Sequence, residues 1–203
     1  MNAKKEEIVN KVRELYNRYG IRSVTMDDVV HEVGISKKTL YQYFKDKSEL
    51  VAEVIKCESA KKTNEHDKAL KGAHNALEKM LVFYNFQVQM IRDSNPSMLY
   101  DLKKYYPKIY KKFVEQKRAM IHDSFLDNIT QGKSEGLYRK DINEKVIATL
   151  NLIRVEGLIN SDAFKVEELL TPEFFKEMFT YHMYGIVSDK GRKLLEENID
   201  KLK

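Results

Sequence analysis

Glycine and proline are scarce in this chain, 8 and 3 of 203 residues. So few breakers exclude a fold of many short strands and tight turns, and they favour long helices. Cysteine is scarcer still. The single Cys57 allows no disulfide within one chain and points to a reducing cytosol. It falls in a predicted helix with no histidine nearby and reads as an inert thiol. No apolar run approaches the roughly 20 residues of a membrane span. Met1 to Lys11 is charged and lacks the apolar core of a signal peptide. The expectation is a cytoplasmic, soluble protein with no membrane partner. Also missing are a Walker-type loop, a nucleotide fingerprint and a nucleophile elbow. His31, His66, His74, His122 and His182 lack metal-ligand spacing. Asp93, Asp101, Asp123 and Glu156 are not paired for acid-base chemistry. No catalytic residue, metal or cofactor is therefore expected. No internal repeat or low-complexity run occurs.

What is present suits an all-helical protein. Hydrophobic residues make up 42% and charged residues 33% of the chain, too apolar for disorder and ordinary for amphipathic helices. The net charge of +5 suits a polyanion only where the charge sits on an element that can use it.

The spacing predicts a first helix over about residues 4–19, with Ile8, Val12, Leu15 and Tyr19 on one face and Gly20 after its end. Thr25 has the character of an N-cap, with Asp28 completing a capping box. Met26, Val29, Val30 and Val33 then stripe a short second helix that Gly34 ends. Ser36 caps a third, on which Leu40 and Phe44 face inward. Asp46, with Glu49 three residues on, opens a long fourth helix over 47–71. Helices two and three are joined only by Val33-Gly34-Ile35-Ser36, a tight glycine-containing turn of helix-turn-helix type.

Such a motif presents the start of its second helix to the DNA major groove while flanking groups grip phosphates. Ser36, Lys37, Lys38, Thr39, Tyr41, Gln42, Tyr43 and Lys47 all carry hydrogen-bond donors, and Lys37 and Lys38 add positive charge where a duplex would lie. The starts of helices two and four, at Thr25 and Lys47, suit phosphate contacts. The competing reading makes the lysines a solvated face and Tyr41 and Tyr43 half-buried core. The turn, the caps and the flanking helices together favour the DNA reading.

The runs Thr25-Met26-Asp27-Asp28-Val29-Val30 and Gly34-Ile35-Ser36-Lys37-Lys38-Thr39-Leu40-Tyr41-Gln42-Tyr43-Phe44-Lys45-Asp46-Lys47-Ser48-Glu49-Leu50 resemble the TetR (tetracycline-repressor-like) family of bacterial regulators. The motif covers about a quarter of the chain. Lys38 stands where the family often has a small residue. The resemblance implies an all-α fold: a helix-turn-helix DNA-binding domain at 1–46, and a helical ligand-sensing and dimerisation domain at 47–203, with helix 47–71 as connector. It also implies DNA contacts by Thr25, Lys37, Thr39, Tyr41, Tyr43 and Lys47. It says nothing of which residues hold a ligand, because the C-terminal parts of the family diverge.

Beyond the motif, Leu77, Met80, Leu81, Tyr84, Val88 and Ile91 stripe a fifth helix that Asn95-Pro96 breaks. A short sixth runs from Pro96 to Lys104. Pro107 starts a seventh, with Ile109, Phe113, Met120 and Ile129 inward, and 132–140 reads as a loop. Asp141 or Asn143 caps an eighth, bearing Val146, Ile147, Leu150, Ile153 and Leu158. Thr171-Pro172 opens a ninth, with Phe174, Phe175, Met178, Phe179 and His182 on one face. The last, amphipathic segment spans 189–202. Gly185 offers either a close helix approach or a helix end. Met80, Met90, Met98, Met120, Met178 and Met183 are adaptable side chains of the kind that line apolar pockets, or ordinary core filling. The helices over 143–160 and 172–188 are apolar enough to pair across a two-fold axis, or to pack both faces inside one subunit. With these features, the resemblance implies a homodimeric regulator, a repressor that binds a palindromic double-stranded operator and releases it on binding an apolar effector. The alternatives are a non-specific DNA-binding protein, or a helical enzyme or adaptor with no DNA role.

Overall fold

The computed structural model describes residues 3–92, 96–160 and 171–199, apart from the side chains of residues 91, 92, 96 and 158–160. The expected inward positions Ile91 and Leu158, the acid Asp93, the break at Asn95 and the segment after 199 lie outside the described residues. Among those described, ten helices and no strand occur: α1 (Ala3–Tyr19), α2 (Met26–Val33), α3 (Lys37–Tyr43), α4 (Lys47–Leu70), α5 (Ala76–Arg92), α6 (Pro96–Tyr105), α7 (Pro107–Ser134), α8 (Glu144–Asn160), α9 (Pro172–Ile186) and α10 (Asp189–Asn198). The all-α expectation therefore holds.

The residues form two compact units, one of 1–64 with 95–116 and one of 65–94 with 117–203. The first is built around Ile8, Val9, Val12 and Tyr16 of α1, Val29 and Val33 of α2, Leu40 of α3, Phe44 just beyond α3, Leu50 and Val54 of α4, and Leu102 of α6. One expectation for α1 fails here. Tyr19 is 56% exposed, and Tyr16 fills the core in its place at 0%. Tyr16 belongs to the Ile8–Val12–Leu15 stripe as well as Tyr19 does, and it is the one that the neighbouring helices of this unit cover. The α6 helix and the start of α7 join this unit through Leu102, Met98, Tyr106, Ile109 and Phe113.

The second unit packs Leu77, Met80, Leu81, Tyr84 and Val88 of α5 against Ile121, Phe125 and Ile129 of α7, and against Phe175, Phe179 and Met183 of α9. Two expectations are corrected here. Met120 points outward, 47% exposed, because the inward stripe of α7 runs through its neighbour Ile121. Nor does the loop start at Gly132: α7 continues to Ser134, and the turn falls at Gly136, whose φ of +70° suits glycine. Gly132 is a packing glycine. A Cβ there would enter the Tyr138 ring. The expected cap of α8 resolves to Asn143, whose Oδ1 accepts from Val146 N at 3.1 Å. Thr171 caps α9 with Pro172 following it, as the Thr-Pro pair predicts. Gly185 has open space around its α-carbon within this chain.

Candidate nucleic-acid interface

The helix-turn-helix is set by side chains that cap its helices. Thr25 Oγ1 accepts from Asp28 N at 3.1 Å, and Asp28 Oδ2 accepts from Thr25 N at 2.7 Å, which closes the capping box. The hydrogen bonds from Thr25 hold the exposed Asp28 carboxyl below its ordinary 3.8. Gly34 ends α2 at φ +72°, a left-handed conformation that costs a side-chain-bearing residue. The chain then turns at once into Ser36, whose Oγ accepts from Thr39 N at 3.0 Å and caps α3. Leu40 and Phe44, both 0% exposed, pin α3 to the core by one edge. That leaves the opposite edge of α3 to water.

Five of the nine residues expected to meet DNA lie on one short stretch of surface: Ser36, Lys37, Lys38, Tyr41 and Gln42 are all exposed. Thr25 is exposed too, at the start of α2. Thr39 is half-buried, and its hydroxyl lies 2.7 Å from the Ser36 hydroxyl. Tyr43 is half-buried and rests against the core. Lys37 Nζ sits 2.9 Å from Asp27 Oδ1, and this exposed partner raises its pKa. An ion pair so open to water is weak and exchanges readily for another anion.

Lys47 is placed differently. Its Nζ turns back and donates to the Arg22 carbonyl at 3.2 Å. Burial lowers its pKa, against the pull of Asp101 and Asp28. The Arg22 position was not anticipated. Its backbone N donates to Asp101 Oδ2 at 2.8 Å, and its Nη1 donates to the Tyr105 hydroxyl at 2.7 Å with the guanidinium over the Tyr105 ring. Arg22 thus ties the α1–α2 turn to both α4 and α6. No local pattern announces a contact between residues 79 apart in sequence. Among the described residues, no group of three His, Cys, Asp or Glu is placed to hold a metal. No described helix is long and apolar enough to cross a membrane.

The family model for bacterial regulatory proteins of the tetR family matches residues 8–54. That stretch takes in α2, α3 and the start of α4. An uncharacterized HTH-type transcriptional regulator of Mycobacterium tuberculosis, Rv0472c, is 38% identical over 52 residues, which cover 26% of this chain and 22% of the relative. The chain therefore matches about a fifth of that relative's length. The HTH-type transcriptional repressor KstR2 of Mycolicibacterium smegmatis is 22% identical over 148 residues, covering 71% of this chain and 72% of the repressor. A transcriptional regulator of Cytophaga hutchinsonii superposes with a TM-score of 0.78 at 21% identity, over 92% of this chain and 100% of that one. By their names these relatives are transcriptional regulators. The last likeness shows the fold alone.

Proposed function

We propose that this chain, whose N-terminal domain is a TetR-family helix-turn-helix domain, is a cytoplasmic transcriptional repressor that binds a palindromic operator as a homodimer and releases it on binding a small molecule. The observation that carries the reading is the exposed edge of α3. Ser36, Lys37, Lys38, Tyr41 and Gln42 are accessible together while Leu40 and Phe44 anchor the helix behind them. In this reading the side chains at the start of α3 meet base edges in the major groove. Thr25, Thr39, Tyr43 and Lys47 complete the contact set around it. Thr25 and the α2 terminus grip phosphate, and Lys47 exchanges the Arg22 carbonyl for a phosphate oxygen.

The reading head comprises 1–46 and the sensing and dimerising part 47–203, with α4 as connector. The dimer assignment is supported by an apolar face that no described residue covers. Val146, Leu150 and Ile153 of α8 are 52, 55 and 59% exposed, and Tyr181 of α9 is 83% exposed. Monomeric proteins rarely leave such a stripe in water, and a two-fold axis pairs it with itself. KstR2, a repressor by name, supports repression over activation.

Selection of bound duplexes from a random pool by the full-length protein tests the reading. It predicts enrichment of an inverted repeat with half-sites about one helical turn, ~34–36 Å, or a multiple apart. Retention of random DNA without an enriched repeat favours the non-specific alternative. No retention at low salt favours an enzyme or adaptor.

A further inference from the structure

In the second unit a half-buried arginine has no counter-ion among the described residues. Arg154 of α8 donates from Nη1 to the Met178 carbonyl at 2.6 Å and from Nη2 to Asn151 Oδ1. Neither acceptor is charged, and the Arg154 Nε is buried with no partner among the described residues. Burial without a facing carboxylate lowers its pKa to about 10. A buried charge left unpaired costs more than hydrogen bonds to neutral acceptors return.

Two further polar groups nearby lack partners among the described residues. Asn151 is 1% exposed, and its Nδ2 has no acceptor. His182 lies one turn along α9 from Met178, and its Nε2 is buried and unpartnered. Burial and the Arg154 charge push the imidazole down to about 3, so His182 is neutral and offers one N–H. Beside these groups runs a wall of rings. His182 meets Phe125 edge-on at 6.3 Å, Phe125 meets Phe83 at 4.9 Å, and Phe83 meets His66 at 6.1 Å.

Folded proteins satisfy nearly all of their buried polar groups. Incomplete groups on Arg154, Asn151 and His182, beside the rings of Phe125 and Phe83, match an anion carried on an apolar body. We propose that Arg154, His182 and Asn151 bind the carboxylate head of an amphipathic effector whose apolar body lies along Phe125 and Phe83. The carboxylate accepts from Arg154 Nε and His182 N–H, and supplies the missing counter-ion. This assignment rests on the reading that residues 47–203 sense a small molecule, and it gives that molecule a chemical class. Because α8 carries both Arg154 and the exposed Val146, Leu150 and Ile153, a ligand here acts on a helix of the proposed dimer face.

Calorimetric titration of the full-length protein with unbranched carboxylates from butanoate to hexadecanoate, and with the alcohols of equal length, tests the site. At least one carboxylate is expected to bind, with its alcohol roughly 10- to 100-fold weaker. Arg154→Met is expected to abolish that difference, and to leave the ligand-free melting temperature equal or higher because a lone buried charge is gone. His182→Phe, which keeps the packing on Phe125, is expected to weaken the carboxylate in the same direction by a smaller factor. The NMR titration midpoint of the His182 ring is expected to rise in the presence of the bound carboxylate. Equal affinity for carboxylate and alcohol, no carboxylate binding at all, or an Arg154→Met protein that melts lower and keeps the preference would each overturn the assignment. An operator-release assay separates this inference from the reading beneath it. If a carboxylate binds through Arg154 and DNA stays bound, the site stands and ligand control of DNA binding fails. If uncharged compounds release DNA from wild type and Arg154→Met alike, ligand control stands and this site fails.

Discussion

Asp101 of α6 accepts a hydrogen bond from the backbone N of Arg22 at 2.8 Å and so fixes the turn that leads into α2. The same carboxylate lies within electrostatic reach of Lys47, whose ammonium holds the Arg22 carbonyl. One turn of backbone is thereby held at its N–H by α6 and at its C=O by α4. Asp101→Ala removes the acceptor and is expected to destabilise the protein by about 1–2 kcal/mol. Asp101→Asn keeps an acceptor and is expected to lose less. Amide hydrogen exchange at Arg22 checks this: it should speed up in the alanine variant and stay close to wild type in the asparagine one. Equal exchange in all three proteins would show that the contact does not hold the turn.

The capping box at Thr25 and Asp28 makes the start of α2 sensitive to acid. The Asp28 carboxyl is held below its ordinary 3.8 by the hydrogen bonds from Thr25. The sign follows from that depression. The stabilisation is fully present above the unfolded carboxyl's pKa and is lost as pH falls through the lower, folded value. Thr25→Ala is expected to cost about 1 kcal/mol at neutral pH and to flatten the acid limb of the stability curve. Melting temperatures of the two proteins from about pH 6 to about pH 2 check it. Parallel curves would rule out the box as the source of that slope.

The joint after α7 tolerates little change. Tyr138, 1% exposed, donates from its hydroxyl to Asn128 Oδ1 at 2.9 Å, and Asn128 Nδ2 donates to the Ala76 carbonyl at 2.8 Å. Burial pushes the Tyr138 phenol up, so it stays a neutral donor. Tyr138→Phe leaves Asn128 Oδ1 buried without its donor, at a cost of about 1–3 kcal/mol. At Gly191 an added Cβ would run into the Leu137 carbonyl oxygen, a backbone atom that cannot swing aside. Gly191→Ala is therefore expected to destabilise by about 3 kcal/mol, the upper range for overpacking. Urea denaturation reads both. A Gly191→Ala protein as stable as wild type would mean that the loop before α8 shifts freely.

The exposed stripe on α8 makes the dimer testable. Leu150 is 55% exposed in the single chain. Leu150→Asp is expected to place a desolvated carboxylate in the proposed interface and to yield monomers in sedimentation velocity. Palindrome affinity should fall with it, since a monomer holds one half-site. A dimeric Leu150→Asp protein would place the interface elsewhere.

Features that are local in sequence could be read before the structure, and those that are not could not. Thr25 with Asp28, Gly34, Ser36 and the Thr171-Pro172 pair announce helix ends because caps act over three or four residues. The stripe Leu40–Phe44 announced which edge of α3 faces inward for the same reason. The choice of Tyr16 over Tyr19 depends on where the neighbouring helices lie, which periodicity does not encode. Gly132 resembled a loop residue, but its role is to admit the Tyr138 ring, a contact visible only once the chain has turned at Gly136. Lys47 resembled a free phosphate ligand, and its tie to Arg22 depends on the turn that Asp101 holds. The hydrogen bond from Arg154 on α8 to the Met178 carbonyl on α9, which brings its charge near His182, likewise joins two helices that no spacing rule links.

The exposed edge of α3 as the DNA reader is tested most directly by fluorescence anisotropy on the duplex selected from the random pool and on a scrambled duplex. The measurement compares wild type with Gln42→Ala and Lys38→Ala across a series of salt concentrations. Gln42→Ala is expected to lose about 1–3 kcal/mol on the selected duplex and little on the scrambled one. Lys38→Ala is expected to weaken both and to reduce the slope of log affinity against log salt by about one phosphate contact. If both variants bind both duplexes as wild type does, α3 does not read DNA.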